Sequence, residues 1–424
     1  MNAKSRSARD LIVASGRGHR GHQPAPGKPP GARAVPLRRL GAFALALALL
    51  VGANLPGPAR AEGQCTPILS GLRLPVSSLM TEQGHLLISE SGNGSPNSGR
   101  ISIVDQSGQR RTLVRGLPSG PADVGDPSGP AGLLMRGRVL FLAMGTGNSG
   151  IMGPRPGTTL ANPAGPSSPI FASVLAMYFL PAAEIDATGF TITPADQQAL
   201  AQGEFIKLTD GNGNAMWVHM VTKFPNFAPE PLPGIPDNIA LSNPFGIAAQ
   251  DTSYYVTDGG RNLVWRIDRG EASEFVKFPN IPNPLFEHHV GGPFIQAVPT
   301  SIIGVHGKLL VTLFRGAPFA TGVSTVEEID ASTGEDLPML TGLTTAIDII
   351  PSFGGVPPWL VLEMSASGPF FNGPGTLLQF DDPAEPPTTL ADCLEAPTSM
   401  TLDRGSGTLY VTERTGKLVS VPYP

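Results

Sequence analysis

Short apolar runs separated by Gly, Pro, Asn and Asp recur from Pro75 to the C-terminus of this chain. LLISE, RVLFLAM, YYVTD, KLLVTLF, WLVLEM and LYVTE are rich in β-branched and aromatic residues and bounded by turn formers, which predicts strands. RVLFLAM and KLLVTLF show no polar alternation, so they should be covered on both faces. The runs come in fours. PVSSLMTE, HLLISE, GRISIVD and RTLVRGL fill Pro75 to Leu117, and NPFGIAA, YYVTD, LVWRID and EFVKFP fill Asn243 to Pro279. Two more units span Val298 to Leu343 and Ala346 to Asp392. Openings at Pro244, Pro299, Ile347 and Pro397 lie 55, 48 and 50 residues apart. Four strands at that period predict a β-propeller.

Another unit opens at Gly129 and holds RVLFLAM, SVLAMYF and a fourth run from Ala215. Residues 145–169 and 181–214 interrupt it; PADQQALAQ in the second insert is a candidate short helix. The last unit, Ala396 to Val421, is one strand short, whereas Thr66–Leu72 has no unit of its own. Pairing Thr66–Leu72 with KLVSV repairs both and abolishes the open edge. The expectation is an all-β, six-bladed propeller of four-stranded antiparallel blades, the last closed by the N-terminal strand.

GRISIVDQSGQRRTLVRGLP, NPFGI…YYVTDGGRNLVWRID and AVPTSIIG…LLVTLFRGAPF resemble the ScyD/ScyE family of exported propellers, and more broadly the NHL-repeat and gluconolactonase groups. The resemblance covers most of residues 64–424. It implies a propeller and export, and no settled activity.

The first 61 residues differ from the rest. A basic start, the apolar run Leu40–Ala53 and Ala59-Arg60-Ala61 make a secretory signal peptide with a long leader, and translation from near Val35 would leave an ordinary one. Fourteen apolar residues are too few to span about 30 Å of hydrocarbon. Removing the leader takes ten of the 29 basic residues but one of the 34 acids, leaving a net charge of about −14. Such a surface repels phosphate backbones, so nucleic acid is not an expected partner. A secreted or periplasmic monomer with no membrane span is expected. Export permits a disulfide between Cys65 and Cys393, the two cysteines present; two unpaired buried thiols are the alternative.

Candidate chemistry collects on the face shared by second-to-third-strand loops and blade-to-blade connections. Glu90, Asp258 and Glu413 end second strands, and Glu363 lies one position away in LVLEM. Converging there, Glu90, Asp258 and Glu413 could hold Ca²⁺ or Mg²⁺, or act as bases; the bland alternative is a turn cap or an ion pair. Arg315 could clamp an anion, or form a surface salt bridge. His288-His289 beside Glu287 offers one base or ligand, His289 foremost, although adjacent histidines point apart. His85 and His306 read as surface residues of tight turns on the opposite face. No nucleophile elbow or phosphate loop is present. Two functions remain: a propeller binding a small ligand or protein at its mouth, and a divalent-metal-assisted hydrolase or lactonase of gluconolactonase type. The two inserts are candidate lids.

Overall fold

The computed structural model describes residues 65–423. The expected leader lies outside them. The chain forms six blades, each built on four antiparallel strands that run outward in sequence order, except that the outermost strand of blade six comes from the N-terminus. Blade one holds Pro75–Met80, Leu86–Glu90, Gly99–Val104 and Arg110–Leu117. Blade two holds Pro130–Arg136, Val139–Met144, Ser173–Phe179 and Ala215–Lys223; blade three holds Pro244–Gln250, Ser253–Asp258, Leu263–Asp268 and Glu271–Lys277. Blade four runs from Pro299 to Leu343 and blade five from Ala346 to Leu394. In blade six, Pro397–Asp403, Thr408–Glu413 and Lys417–Pro422 are completed by Thr66–Leu69, with Thr66 opposite Ser420. The innermost strands form a closed ring in which each touches the next and the sixth touches the first.

The core is distributed over six seams, one between each pair of blades. Alternation along the second strands explains this, since successive side chains leave a strand on opposite faces. In blade one Leu87 packs toward blade two, whereas Leu86 and Ile88 pack toward Leu418 of blade six. In blade four Leu309 and Val311 face blade three and Leu310 faces blade five. Runs apolar on both faces are therefore what a radial sheet requires.

Cys65 and Cys393 are bonded, across 328 residues of sequence. Cys393 lies on the outermost strand of blade five and Cys65 precedes the N-terminal strand, so the link crosses the rim between blades five and six. This settles the open pairing in favour of the clasp.

The two inserts of blade two have different fates. Residues 145–169 stay at the mouth and carry a hairpin, Gly150–Met152 with Thr159–Ala161. It is tied to the next connection by Thr159 N donating to Asn238 Oδ1 (2.9 Å) and by Arg155 Nη2 donating to Pro233 O (2.6 Å). Residues 181–214 are not a lid. They join third to fourth strand, so they emerge on the opposite face. Ile206–Thr209 adds a fifth strand to blade two, and Phe190–Thr191 pairs in parallel with the outer strand of blade one. The helix Pro194–Ala201 forms where PADQQALAQ suggested it, capped reciprocally by Thr193 and Asp196. Buried Glu184 accepts from Arg138 Nη1 at 2.9 Å and faces His85 Nδ1 at 3.2 Å. His85 is thus part of an interblade lock, not a bare surface residue.

Candidate functional site

The acids at the mouth occupy one register. Opposite the first residue of the innermost strand stand Glu90 (Pro75), Asp258 (Pro244), Glu363 (Ala346) and Glu413 (Pro397). Glu363 is therefore in step with the others; blade five opens at Ala346, one residue before the Ile347 used to count the spacing. All four are buried. Each accepts a main-chain N–H from the residue one or two positions before its innermost strand: Arg73 to Glu90, Asn243 to Asp258, Thr344 to Glu363 and Glu395 to Glu413, at 2.5–2.7 Å. In three of these entries the intervening residue is left-handed, namely Leu74, Thr345 and Ala396. That turn would leave the preceding N–H without a ladder partner, and the carboxylate satisfies it.

Their remaining acceptor capacity is also used locally. Glu90 receives Arg100 Nη2 (2.7 Å) and Ser102 Oγ; Asp258 receives Trp265 Nε1 (3.0 Å) and Arg261 N (3.1 Å); Glu363 receives Thr376 Oγ1 (2.6 Å). Burial holds the carboxyls of Asp258, Glu363 and Glu413 above their ordinary range, while these hydrogen bonds pull the other way. Among the described residues no three His, Cys, Asp or Glu side chains gather to hold an ion. Glu90, Asp258 and Glu413 stay in their own blades, so the donor set expected for Ca²⁺ or Mg²⁺ does not assemble. We therefore derive no step through a metal there.

Arg315 is buried and left-handed (φ 67°), not an open clamp. Its Nε donates to Val323 O (3.3 Å), and burial pushes the guanidinium below its ordinary range. His289 follows a single 3-10 turn, Phe286–His288, and is exposed in the left-handed conformation.

What the sequence reading missed lies deeper, in the channel. Two positions into each innermost strand stand Ser77, Gly132, Gly246, Ser301, Asp348 and Ser399, one from each blade, and all six border a central cavity of about 300 Å³. Blades four, five, six and one contribute a polar half-ring; blades two and three contribute glycine. The polar members work across seams. Met400 N donates to Asp348 Oδ2 (2.8 Å), Ser78 N to Ser399 Oγ (2.8 Å) and Leu133 N to Ser77 Oγ (3.4 Å). Ser301 Oγ donates to Asp348 Oδ1 at 2.6 Å, and Ile349 N reaches the same oxygen at 2.9 Å. Among the residues lining the cavity Asp348 is the one that titrates, and burial raises its carboxyl to about 6. The signal was available: each residue stands two places after an opening Pro or Ala.

A second seam device lies behind the ring. Ser89 Oγ donates to Ala131 O of blade two (2.5 Å), Thr257 Oγ1 to Thr300 O of blade four, and Thr398 Oγ1 to Pro75 O of blade one (2.9 Å).

Above the channel, three connections pack into one patch. They are residues 281–295, 314–323 and 364–374. Gly291 lies close against Pro318, Phe370 N donates to Pro318 O (3.0 Å), and the rings of Phe319 and Phe371 stack at 4.1 Å. On this bed Phe294, Phe370 and Phe286 are 62%, 60% and 49% exposed. Outside Glu287, His288, His289 and buried Arg315 these segments carry no titratable side chain.

No protein-family model matches the chain, and no curated protein does. Among solved structures the chain is similar to virginiamycin B lyase from Staphylococcus aureus, at 14% identity and a TM-score of 0.42, over 85% of this chain and 99% of that one. It is similar to a structural-genomics protein of unknown function from Bacteroides thetaiotaomicron, at 9% identity and 0.47, over 84% and 75%. It also resembles a chain of the nidogen/laminin complex, at 10% identity and 0.38, over 80% and 93%. Likeness at this level says nothing about the chemistry of this chain.

Proposed function

We propose that this is an exported binding protein that holds the apolar face of a protein partner on the phenylalanine patch over blades three to five. The observation that carries the reading is the exposure of Phe286, Phe294 and Phe370, the last on a loop braced by the stacked Phe319 and Phe371 rings. Exposed aromatic anchors on a supported base are what interfaces use, because each buries much area at little cost in side-chain entropy. The patch spreads over three connections, which suits a partner surface better than a small molecule. The Cys65–Cys393 bond supports an oxidising compartment, in keeping with the export leader and with the ScyD/ScyE resemblance. Among the described residues no helix is long and apolar enough to cross a membrane. The protein acts as a monomer in this reading.

The test is comparative capture. Mature protein and a Phe286→Ser/Phe294→Ser/Phe370→Ser variant are immobilised and exposed to the exported proteins of the source cell. A partner held by the wild type and lost by a variant with unchanged melting temperature is expected. Equal capture by both would remove the proposal.

A further inference from the structure

We propose that the channel half-ring centred on Asp348 is a binding station for a small monovalent cation. The argument starts from which hydrogen-bonding capacity is left over. Asp348 accepts three donors, Ser301 Oγ, Ile349 N and Met400 N. A carboxylate offers about four acceptor positions, so one remains, on Oδ2. Ser301 has one hydroxyl proton and places it on Asp348, so it presents only lone pairs to the cavity. In the next blade Ser399 Oγ receives Ser78 N and lies 2.9 Å from Ser78 Oγ, which in turn lies 2.8 Å from Thr401 Oγ1, so these hydroxyls hydrogen-bond along one chain. The nearby main-chain donors, Ile349 N and Met400 N, are consumed by Asp348 itself. The wall around Asp348 is therefore rich in acceptors and poor in free donors, which fits a cation and repels an anion.

The charge count selects the valence. One carboxylate, serine hydroxyls and no imidazole or thiolate line this cavity. Divalent oxygen sites gain affinity by adding carboxylates, and a single one neutralises a single positive charge. The glycine side of the ring leaves room on the other wall: Gly132 and Gly246 carry no side chain, and the cavity between the walls is about 300 Å³. That volume admits an alkali ion with part of its water, or a primary ammonium. Both offer a compact positive charge to the same oxygens. Asp348 is the sole charged group facing the cavity, so occupancy requires its ionised form.

The experiment uses the mature protein at pH 8 and constant ionic strength. Melting temperature is followed while choline, too bulky to be held by these oxygens, is replaced by Na⁺, K⁺, Rb⁺ or methylammonium. A saturable rise with at least one small cation is expected, growing with the logarithm of concentration past the dissociation constant. The rise should vanish in Asp348→Asn and shrink several-fold at pH 5. In Ser301→Ala, which keeps the carboxylate, it should shift to at least threefold higher concentration. If Asp348→Asn fails to fold, the pH 5 and Ser301→Ala arms decide. An alkali-specific rise with a Rb⁺ anomalous peak beside Asp348 assigns a metal ion; a methylammonium-specific rise assigns an amine. Identical melting in all four salts and choline, or a rise that persists undiminished at pH 5 and in Ser301→Ala, overturns the proposal.

Discussion

The two halves of the channel ring occupy the same register yet hold neighbouring blades together differently. In blades two and three the ring residue is glycine and main chains meet directly. A Cβ on Gly132 would lie 2.2 Å from Phe245 O, and one on Gly246 would lie 2.5 Å from Thr300 O. In blades five, six and one a side-chain oxygen receives the next blade's N–H instead. The lesson is that ring closure tolerates two solutions, close backbone packing or a polar bridge. Only the second leaves chemistry facing the channel. Within the polar half, Asp348 stands where serine serves elsewhere, and its blade lacks the second-strand hydroxyl that stitches other seams: Leu362 occupies the place held by Ser89 and Thr257.

The largest expected effect is on the glycine side. Gly132→Ala must push two backbones apart, and a loss of about 3 kcal/mol is expected from such overpacking. Chemical denaturation checks it; a loss under about 1 kcal/mol would show that the halves are not different in kind. Next comes the mouth-side staple. Glu413→Ala leaves the Glu395 N–H without its acceptor, for about 2 kcal/mol. A smaller change should follow Ser399→Ala, about 1 kcal/mol, because the Ser78 N–H is stranded at the channel wall.

The pH dependence of the carboxylate bridge is the most diagnostic comparison. A carboxyl raised to about 6 in the fold and near 3.8 in the open chain binds its proton more readily when folded. Ionised Asp348 therefore costs stability above pH 6, and that cost is relieved as pH falls through 6 toward 4. In choline chloride, Asp348→Asn should gain on the wild type by about 1.4 kcal/mol more at pH 7.5 than at pH 5. Ser399→Ala should show no such slope. Parallel curves for Asp348→Asn and wild type would mean the carboxylate bridge behaves like the serine ones.

Much of the architecture was legible before any coordinates. RVLFLAM and KLLVTLF showed double-faced burial because a radial strand serves two seams, and the missing fourth strand after KLVSV showed that Thr66 onward must fill it. The site was less legible. Glu90, Asp258 and Glu413 stood out because they repeat, and what the repeat shares in the structure is the main-chain N–H that each accepts at the entry to its blade. Asp348 was overlooked because AIDIIPS reads as an ordinary inner strand, and a single acid among apolar residues has no spacing to betray it. The Gly/Pro inserts of blade two also looked alike in sequence, whereas connectivity sends one to the mouth and one to the far side.

Local pattern and repeat period determined by themselves the strands, the blade number and the closure by the N-terminal segment, since these depend on which faces must leave water. Tertiary structure alone decided which polar groups are saturated and which still face a cavity. That depends on distances between residues of different blades, such as Ser301, Asp348 and Met400, which no one-dimensional spacing encodes.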